Sequence, residues 1–391
     1  MEQKRIYLDN AAATRTAPEV VEAMLPFFTE TYAVASSQFS HTPGILAKEG
    51  LDGAREIIAK RLNASPEEIV FTSGGTEANN LAVKGTAWVH RGRKDHIVCS
   101  KVEHNTVLHS CQWLENEGFR VTYLDVDDEG FVDLDRLRKS ITDRTFLVSV
   151  QHGNQEVGTV QPVEEVGRIC KEKGVLFHAD ASLSFTNFDL DVARLPADLI
   201  TMSAHKIHGP KGVGALYVRK GTPIKKMMHG GYSEFDLRAG TENVAGIVGF
   251  GKAVELADGG HVGFIRSLQK KLIQSLTEEI EDMEVNGPKD LAMRLPGNVN
   301  VSFSLVEGES VVLHLDMKGI SVITGSACFS RSLEPSYVMM AMGFSHERAH
   351  GSIRFTLSRF NTMDEMDGVA ESCKEIVKNL RRISPLKKGV E

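Results

Sequence analysis

The sequence predicts an α/β fold, with a large domain on a mostly parallel seven-stranded sheet and a smaller α+β domain after it. Three observations predict it. From about residue 68 to residue 218, short apolar runs alternate with helical patterns, as in a largely parallel sheet with helices on both faces. Past residue 243 the pattern changes to one long helical stretch and then a mixture of strands and helices. The length of 391 residues exceeds one ordinary core and suits two domains.

In chain order, the apolar runs place strands at 68–72, 96–99, 121–124, 145–150, 175–179, 199–202 and 213–218. Helical periodicity fills 77–90, 106–117 and 163–173 between them. A long helical stretch covers 243–281, with a break expected at Gly259-Gly260, and the loop Asn286-Gly287-Pro288 follows. Strands at 298–303 and 352–356 and a last helix at 363–382 complete the small domain. The division is expected inside or just after the long helix, with 15–262 as the large domain and 1–14 plus 263–391 as the small one.

Hydrophobic residues make up 41% and charged residues 25%, ordinary values for a soluble globular protein. A net charge of −7 leaves no broad basic surface, which argues against nucleic acid or an anionic membrane as direct partner. The start, Met1-Glu2-Gln3-Lys4-Arg5, carries no apolar leader and no run is long enough to span a bilayer, so a cytoplasmic location is expected. Five scattered cysteines without a CxxC argue against a disulfide framework or a metal site.

Two strands stop at reactive side chains. The run 175–179 ends at Asp180, and 199–202 leads into Ser203-Ala204-His205-Lys206. Open α/β sheets bind ligands at such strand ends. A lysine between apolar strands loses its charge readily and becomes a nucleophilic amine suited to Schiff-base chemistry. Pyridoxal phosphate (PLP) requires that lysine, and an acid to keep its ring nitrogen protonated. Ser203 to Lys206 also reads S-x-x-K, but the S-D-N and K-T-G companions of that acyl-transfer motif are absent.

Thr72-Ser73-Gly74-Gly75-Thr76-Glu77 follows a strand and opens a helix, where free N–H groups and the helix dipole favour a phosphate. It also reads as a plain glycine turn with a threonine cap. It matches neither GxxxxGK[ST] nor GxGxxG. His104, just past another strand, is placed to stack on a planar cofactor or to serve as a structural hydrogen-bonding residue. Cys328 lies among small residues near Arg331, a setting that favours an accessible thiolate. Arg354, on an apolar strand, suits a bidentate carboxylate clamp or an internal ion pair.

Together these segments resemble the cysteine desulfurases of the NifS/IscS type, in the class V aminotransferase group. The resemblance runs from Tyr7-Leu8-Asp9-Asn10-Ala11-Ala12 to Leu380-Arg381-Arg382-Ile383-Ser384-Pro385-Leu386. Its most specific segments are 71–77, Val102-Glu103-His104, 205–212, 238–243, and Gly325-Ser326-Ala327-Cys328 followed by 333–338. The resemblance implies fold type I of PLP enzymes, L-cysteine as substrate and a homodimer. By it, Lys206 would anchor the cofactor and move protons, Asp180 would pair with the ring nitrogen, and His104 would stack on the ring. Gly75, Thr76, Ser203 and His205 would hold the phosphate, with Thr241 reaching it from the other subunit. Arg354 would clamp the substrate carboxylate. The Cys328 thiolate would take the sulfur as a persulfide, release alanine, and pass the sulfur to an acceptor protein for iron–sulfur clusters or tRNA thiolation.

Two departures stand out. The family has Asn-Asn-Glu where this chain has Asn154-Gln155-Glu156, and Asp-Ala-x-Gln where it has Asp180-Ala181-Ser182-Leu183. By the resemblance, the replaced asparagine contacts cofactor oxygen and substrate, and the replaced glutamine donates to the cofactor's phenolate oxygen. Leu183 cannot donate, a loss of about 1.5–3 kcal/mol to a charged group. Gln155, one methylene longer, is expected to supply the missing donor and to contact both cofactor and substrate. The competing readings are a PLP-dependent cysteine or selenocysteine lyase with altered cofactor tuning, and a weakly active paralogue acting as a sulfur-transfer partner.

Overall fold

The computed structural model describes residues 5–257, 259–325 and 335–384, so Cys328 lies outside the described residues. The chain opens with β1 (Ile6–Tyr7). Seven strands follow: β2 (Ile69–Thr72), β3 (His96–Ser100), β4 (Arg120–Leu124), β5 (Thr145–Ser149), β6 (Leu176–Asp180), β7 (Leu199–Ser203) and β8 (Gly214–Val218). They form one sheet in the order β2-β8-β7-β6-β5-β3-β4. Pairings from β4 through β7 are parallel, and β8 alone runs against both of its neighbours.

Each of these strands lies within one residue of its predicted bounds at either end. The reason is burial: β2, β3, β5, β7 and β8 are buried throughout, so they read as unbroken apolar runs. Alternate residues feed separate cores on the two faces, Ile69 and Phe71 on one and Val70 on the other. Helices Gly75–His90, Asn105–Asn116 and Val163–Lys173 match the periodic segments.

The helix Thr42–Leu62 escaped the periodicity reading because Gly44, Gly50 and Gly53 read as breakers. Two of those glycines serve close packing. A Cβ on Gly44 would stand 2.5 Å from the Ser37 backbone, and one on Gly50 2.5 Å from the Phe27 ring. The long stretch splits into Val244–Glu255 and Gly259–Glu279, so the break falls just before the glycine pair, which starts the second helix.

The remainder builds on β9 (Met283–Val285), β10 (Asn298–Phe303), β11 (Ile320–Ser321), β12 (Ile323–Thr324) and β13 (Ser352–Thr356). Four of them make an antiparallel sheet, β12-β13-β10-β9, and β11 pairs in parallel with β1. The last helix, Met363–Ile383, lays Met366, Val369, Ala370, Cys373, Ile376 and Val377 onto this unit. Their core includes Leu8 from the chain start and Leu268, Leu272 and Leu276 from the long helix.

One buried ion pair holds an unusual turn. Glu234, Phe235 and Asp236 have φ of 49°, 56° and 62°, a left-handed run without glycine. The Arg55 guanidinium grips the Glu234 carboxylate at 2.6 and 2.9 Å, and the Phe71 N–H donates to the same carboxylate at 2.7 Å. Both side chains are almost fully buried. Arg55→Ala would strand that carboxylate, so a loss of about 3–5 kcal/mol is expected, read as a lowered denaturant midpoint. Alanine at Arg168 in the exposed Arg168–Glu165 pair should cost under about 1 kcal/mol.

Candidate active site

The C-terminal ends of β2, β3, β5, β6 and β7 meet along one edge, where β8 begins. A cavity of about 510 Å³ lies there, within the roughly 300–1,000 Å³ of small-molecule sites. Nine of the residues singled out from the sequence line it: Gly75, Thr76, His104, Gln155, Asp180, Ser203, His205, Lys206 and Arg354.

The phosphate-type turn sits at the end of β2. Gly74 has φ 146° and ψ 179°, a conformation open only to glycine. Gly214, at the start of β8, lies beneath it, where a Cβ would come within 2.8 Å of the Gly74 backbone. The helix from Gly75 directs its first N–H groups, which have no intrahelical carbonyl, toward this end of the cavity. Glu77 closes the turn by accepting from the Ser73 N–H at 2.7 Å and from Arg238 at 2.9 Å. Burial would raise its carboxyl pKa, but the hydrogen bonds from Arg238 and Ser73 hold it below the usual range. Across the cavity, Ser203 Oγ meets His205 Nδ1 at 3.0 Å. Burial, then the nearby Lys206 and Lys211, push the His205 pKa down to about 4, so the ring is neutral at physiological pH.

Asp180 ends β6 with both carboxylate oxygens engaged. Oδ1 accepts from the Ser182 N–H at 2.9 Å and the Ser182 hydroxyl at 2.6 Å, and Oδ2 accepts from Asn79 at 2.7 Å. His104 caps the helix Asn105–Asn116, and its Nδ1 accepts from the Thr106 N–H at 3.2 Å. That bond puts the proton of the neutral ring on Nε2. Desolvation by burial lowers the His104 pKa and keeps the ring neutral.

Lys206 closes the short turn after β7, its amine donating to the carbonyls of Ala11 and Ala12. The sequence has Ala204 where the resembled family has glycine, and Gly209 makes the room for it. A Cβ on Gly209 would fall 2.9 Å from that of Ala204. Arg354, on β13, donates to Asp9 at 2.7 Å and to the Gln155 carbonyl at 3.0 Å. Its Nε–H is buried without a hydrogen-bond partner among the described residues.

The Gln155 amide lines the cavity and donates to the Tyr337 hydroxyl at 3.1 Å. Tyr337 in turn donates to the Glu103 carbonyl at 2.7 Å. Because that carbonyl can only accept, the amide nitrogen of Gln155 must face the tyrosine. One of its two N–H groups is therefore committed, and among the described residues the other is left for a ligand. Leu183 is an apolar wall of the same cavity. Thr241 is not brought to this cavity within its own chain. It lines a separate hollow of about 830 Å³ beside Arg55, Tyr232 and Phe235. Sequence reasoning missed Asn79, Thr106, Ser182 and Tyr337. Two carried a signal in hindsight: Asn79 follows Gly75 by four residues on one helix face, and Ser182 follows Asp180 at Asx-turn spacing.

A family model described as Aminotransferase class-V matches residues 6–369. A cysteine desulfurase IscS of Clostridium botulinum (strain Hall) is 48% identical over 386 residues, covering 98% of this chain and 97% of that protein. One of Methanosarcina thermophila is 48% identical over 388 residues, covering 98% and 95%. Among solved structures, a NifS-like protein superposes with a TM-score of 0.89 at 38% identity, over 96% of this chain and 100% of that one. A structure described as SspA in complex with cysteine gives 0.82 at 36% identity, over 91% and 100%. The chain belongs to the class-V aminotransferase family. Its curated relatives are cysteine desulfurases, and enzymes of this kind depend on PLP.

The residues present fit that cofactor. A Cβ on Gly75 would stand 3.0 Å from Ser182 Oγ, closer than an ordinary contact, so glycine keeps the cradle open at the helix start. The buried Asp180 carboxylate, the neutral His104 ring and the Lys206 amine face the same space. Asp180 would hold the protonated ring nitrogen, and Gly75, Thr76, Ser203 and His205 the phosphate.

Proposed function

We propose that this chain is a PLP-dependent cysteine desulfurase. It removes sulfur from L-cysteine, releasing L-alanine and leaving a persulfide on Cys328 for transfer to an acceptor protein in iron–sulfur cluster assembly or tRNA thiolation. The observation that carries the reading is the meeting of Lys206, Asp180, His104 and Arg354 in one cavity of a chain with cysteine desulfurases as near relatives. When bound, PLP draws electrons away from the substrate's α-carbon. Arg354 offers its charge to the substrate carboxylate, with Asp9 and the Gln155 carbonyl fixing its plane. The remaining Gln155 N–H reaches cofactor or substrate. Lys206 Nζ moves protons at the substrate carbons, and Asp180 pairs with the ring nitrogen. The Cys328 thiolate attacks the substrate sulfur. The S–S bond forms as the Cβ–S bond breaks, and its electron pair stays on carbon, which is then protonated.

The chain acts as a homodimer in the cytoplasm, with Thr241 of a second copy reaching the phosphate. The exposed Phe39, Tyr232 and Phe235 near Thr241 support such a contact. Among the described residues no helix is long and apolar enough to cross a membrane. The proposed domains are 15–262 and 1–14 plus 263–391, supported by separate apolar cores, with Leu8 packed against 268–377. The test is a cysteine turnover assay scoring alanine and enzyme-bound persulfide in equal amounts, repeated with Leu183→Gln. Restoring the donor should change turnover and shift the visible cofactor band. Sulfide and pyruvate in place of alanine would overturn the desulfurase reading.

A further inference from the structure

We propose that Asn79 and Thr106 are positioning residues, one hydrogen-bonded relay that holds the Asp180 carboxylate and the His104 ring in fixed register, the first for the cofactor's ring nitrogen and the second for its ring face. The inference rests on the PLP reading and adds to it two residues outside the expected set.

The relay follows from counting hydrogens. Asn79 is 1% exposed, on the helix that starts at Gly75. Its amide nitrogen carries two hydrogens, and both are used: one reaches Asp180 Oδ2 at 2.7 Å, the other Thr106 Oγ1 at 2.8 Å. Its carbonyl oxygen is buried with no partner among the described residues. Turning the amide over would let that oxygen accept from the Thr106 hydroxyl, but it would take the N–H from Asp180 and set amide oxygen against carboxylate. The orientation is thus fixed by the acid, at the expense of the orphaned oxygen.

Thr106 takes the Asn79 N–H on its hydroxyl oxygen, so its single hydroxyl hydrogen goes to His104 Nδ1, 2.9 Å away. The Thr106 backbone N–H points to the same nitrogen. Two donors on Nδ1 hold the imidazole as the Nε2–H tautomer and fix its plane. The Ser182 N–H and hydroxyl anchor the other oxygen of Asp180, so the carboxylate cannot rotate. The helical spacing adds a second economy. Gly75 and Asn79, one turn apart, set the phosphate end and the ring-nitrogen end of the cofactor on a single rigid element.

The test is PLP binding, followed by absorbance titration of the cofactor-free protein. The proteins are wild type, Asn79→Ala, Thr106→Val, Thr106→Ser and the Asn79→Ala/Thr106→Val double variant. Each of Asn79→Ala and Thr106→Val should weaken PLP binding at least about tenfold and displace the visible band. Thr106→Ser, which keeps the hydroxyl, should recover most of that loss. Because both residues act through one chain, the double variant should bind no worse than the poorer single. Unchanged affinity and band in both single variants, or losses that multiply in the double, would overturn the relay. If Asn79→Ala does not fold, the contrast between Thr106→Val and Thr106→Ser decides, with equal losses overturning it. A wild type that takes up no PLP would instead overturn the cofactor reading itself.

Discussion

Lys206→Ala is expected to slow cysteine turnover by at least about 10³-fold, because the variant loses both the nucleophilic amine and the proton carrier at the substrate carbons. The cofactor should still bind, since Asp180, His104 and the Gly75 turn remain, but it should bind more weakly and without the visible band that a lysine adduct gives. Among the described residues, no other amine in the cavity is set to take over. Lys211 also lines it, but beside Gly212 at the approach to β8, whereas Lys206 follows directly on β7 and reaches back to the Ala11 and Ala12 carbonyls. Equilibrium dialysis against PLP, read beside single-turnover alanine release, separates binding from chemistry. Unimpaired alanine formation by Lys206→Ala would refute the assignment.

Cys328→Ala should abolish persulfide formation while sparing the earlier events. Adding cysteine to the variant should still change the cofactor's absorption, since Arg354 and Gln155 are intact. Mass spectrometry should find no added sulfur on the protein, and alanine release should fall by at least about 10²–10³-fold with the nucleophile gone. The other cysteines are poor substitutes. Cys99, Cys111, Cys170 and Cys373 are buried, and burial pushes the Cys373 thiol up to about 12. Sulfide release undiminished by the substitution would favour a lyase, in which Leu183 and Gln155 reflect a different tuning of the cofactor.

The central sheet was legible because strands buried on both faces must be continuously apolar, and turns with glycine must follow them. Asp180 and Lys206 were legible for the same reason: a polar residue closing an apolar strand is conspicuous. The helix Thr42–Leu62 was not, since its glycines answer to neighbours distant in sequence and carry no local periodicity. Asn79 and Thr106 were hidden because their meaning lies in hydrogen bonds across two helices and a strand. Gln155 was read as a substitute donor on length alone. The structure adds what length cannot tell, that Tyr337, far along the chain, already holds one of its hydrogens.

The opening segment has a consequence for the order of events on the ribosome. Asp9 pairs with Arg354, Asn10 donates to the Thr356 carbonyl at 2.7 Å, and Leu8 joins a core completed by residues near 377. Residues 8–10 thus find their places only after residues about 345 positions later have emerged. The seven-stranded sheet can assemble long before, since its strands end at Val218. A nascent chain halted near residue 300 would hold a formed phosphate turn, Asp180 and Lys206, yet lack the arginine and leave the Ala11–Ala12 segment over the lysine without its anchor on β13. Such an intermediate could capture PLP but not retain an amino acid, so cofactor loading can precede substrate competence during synthesis.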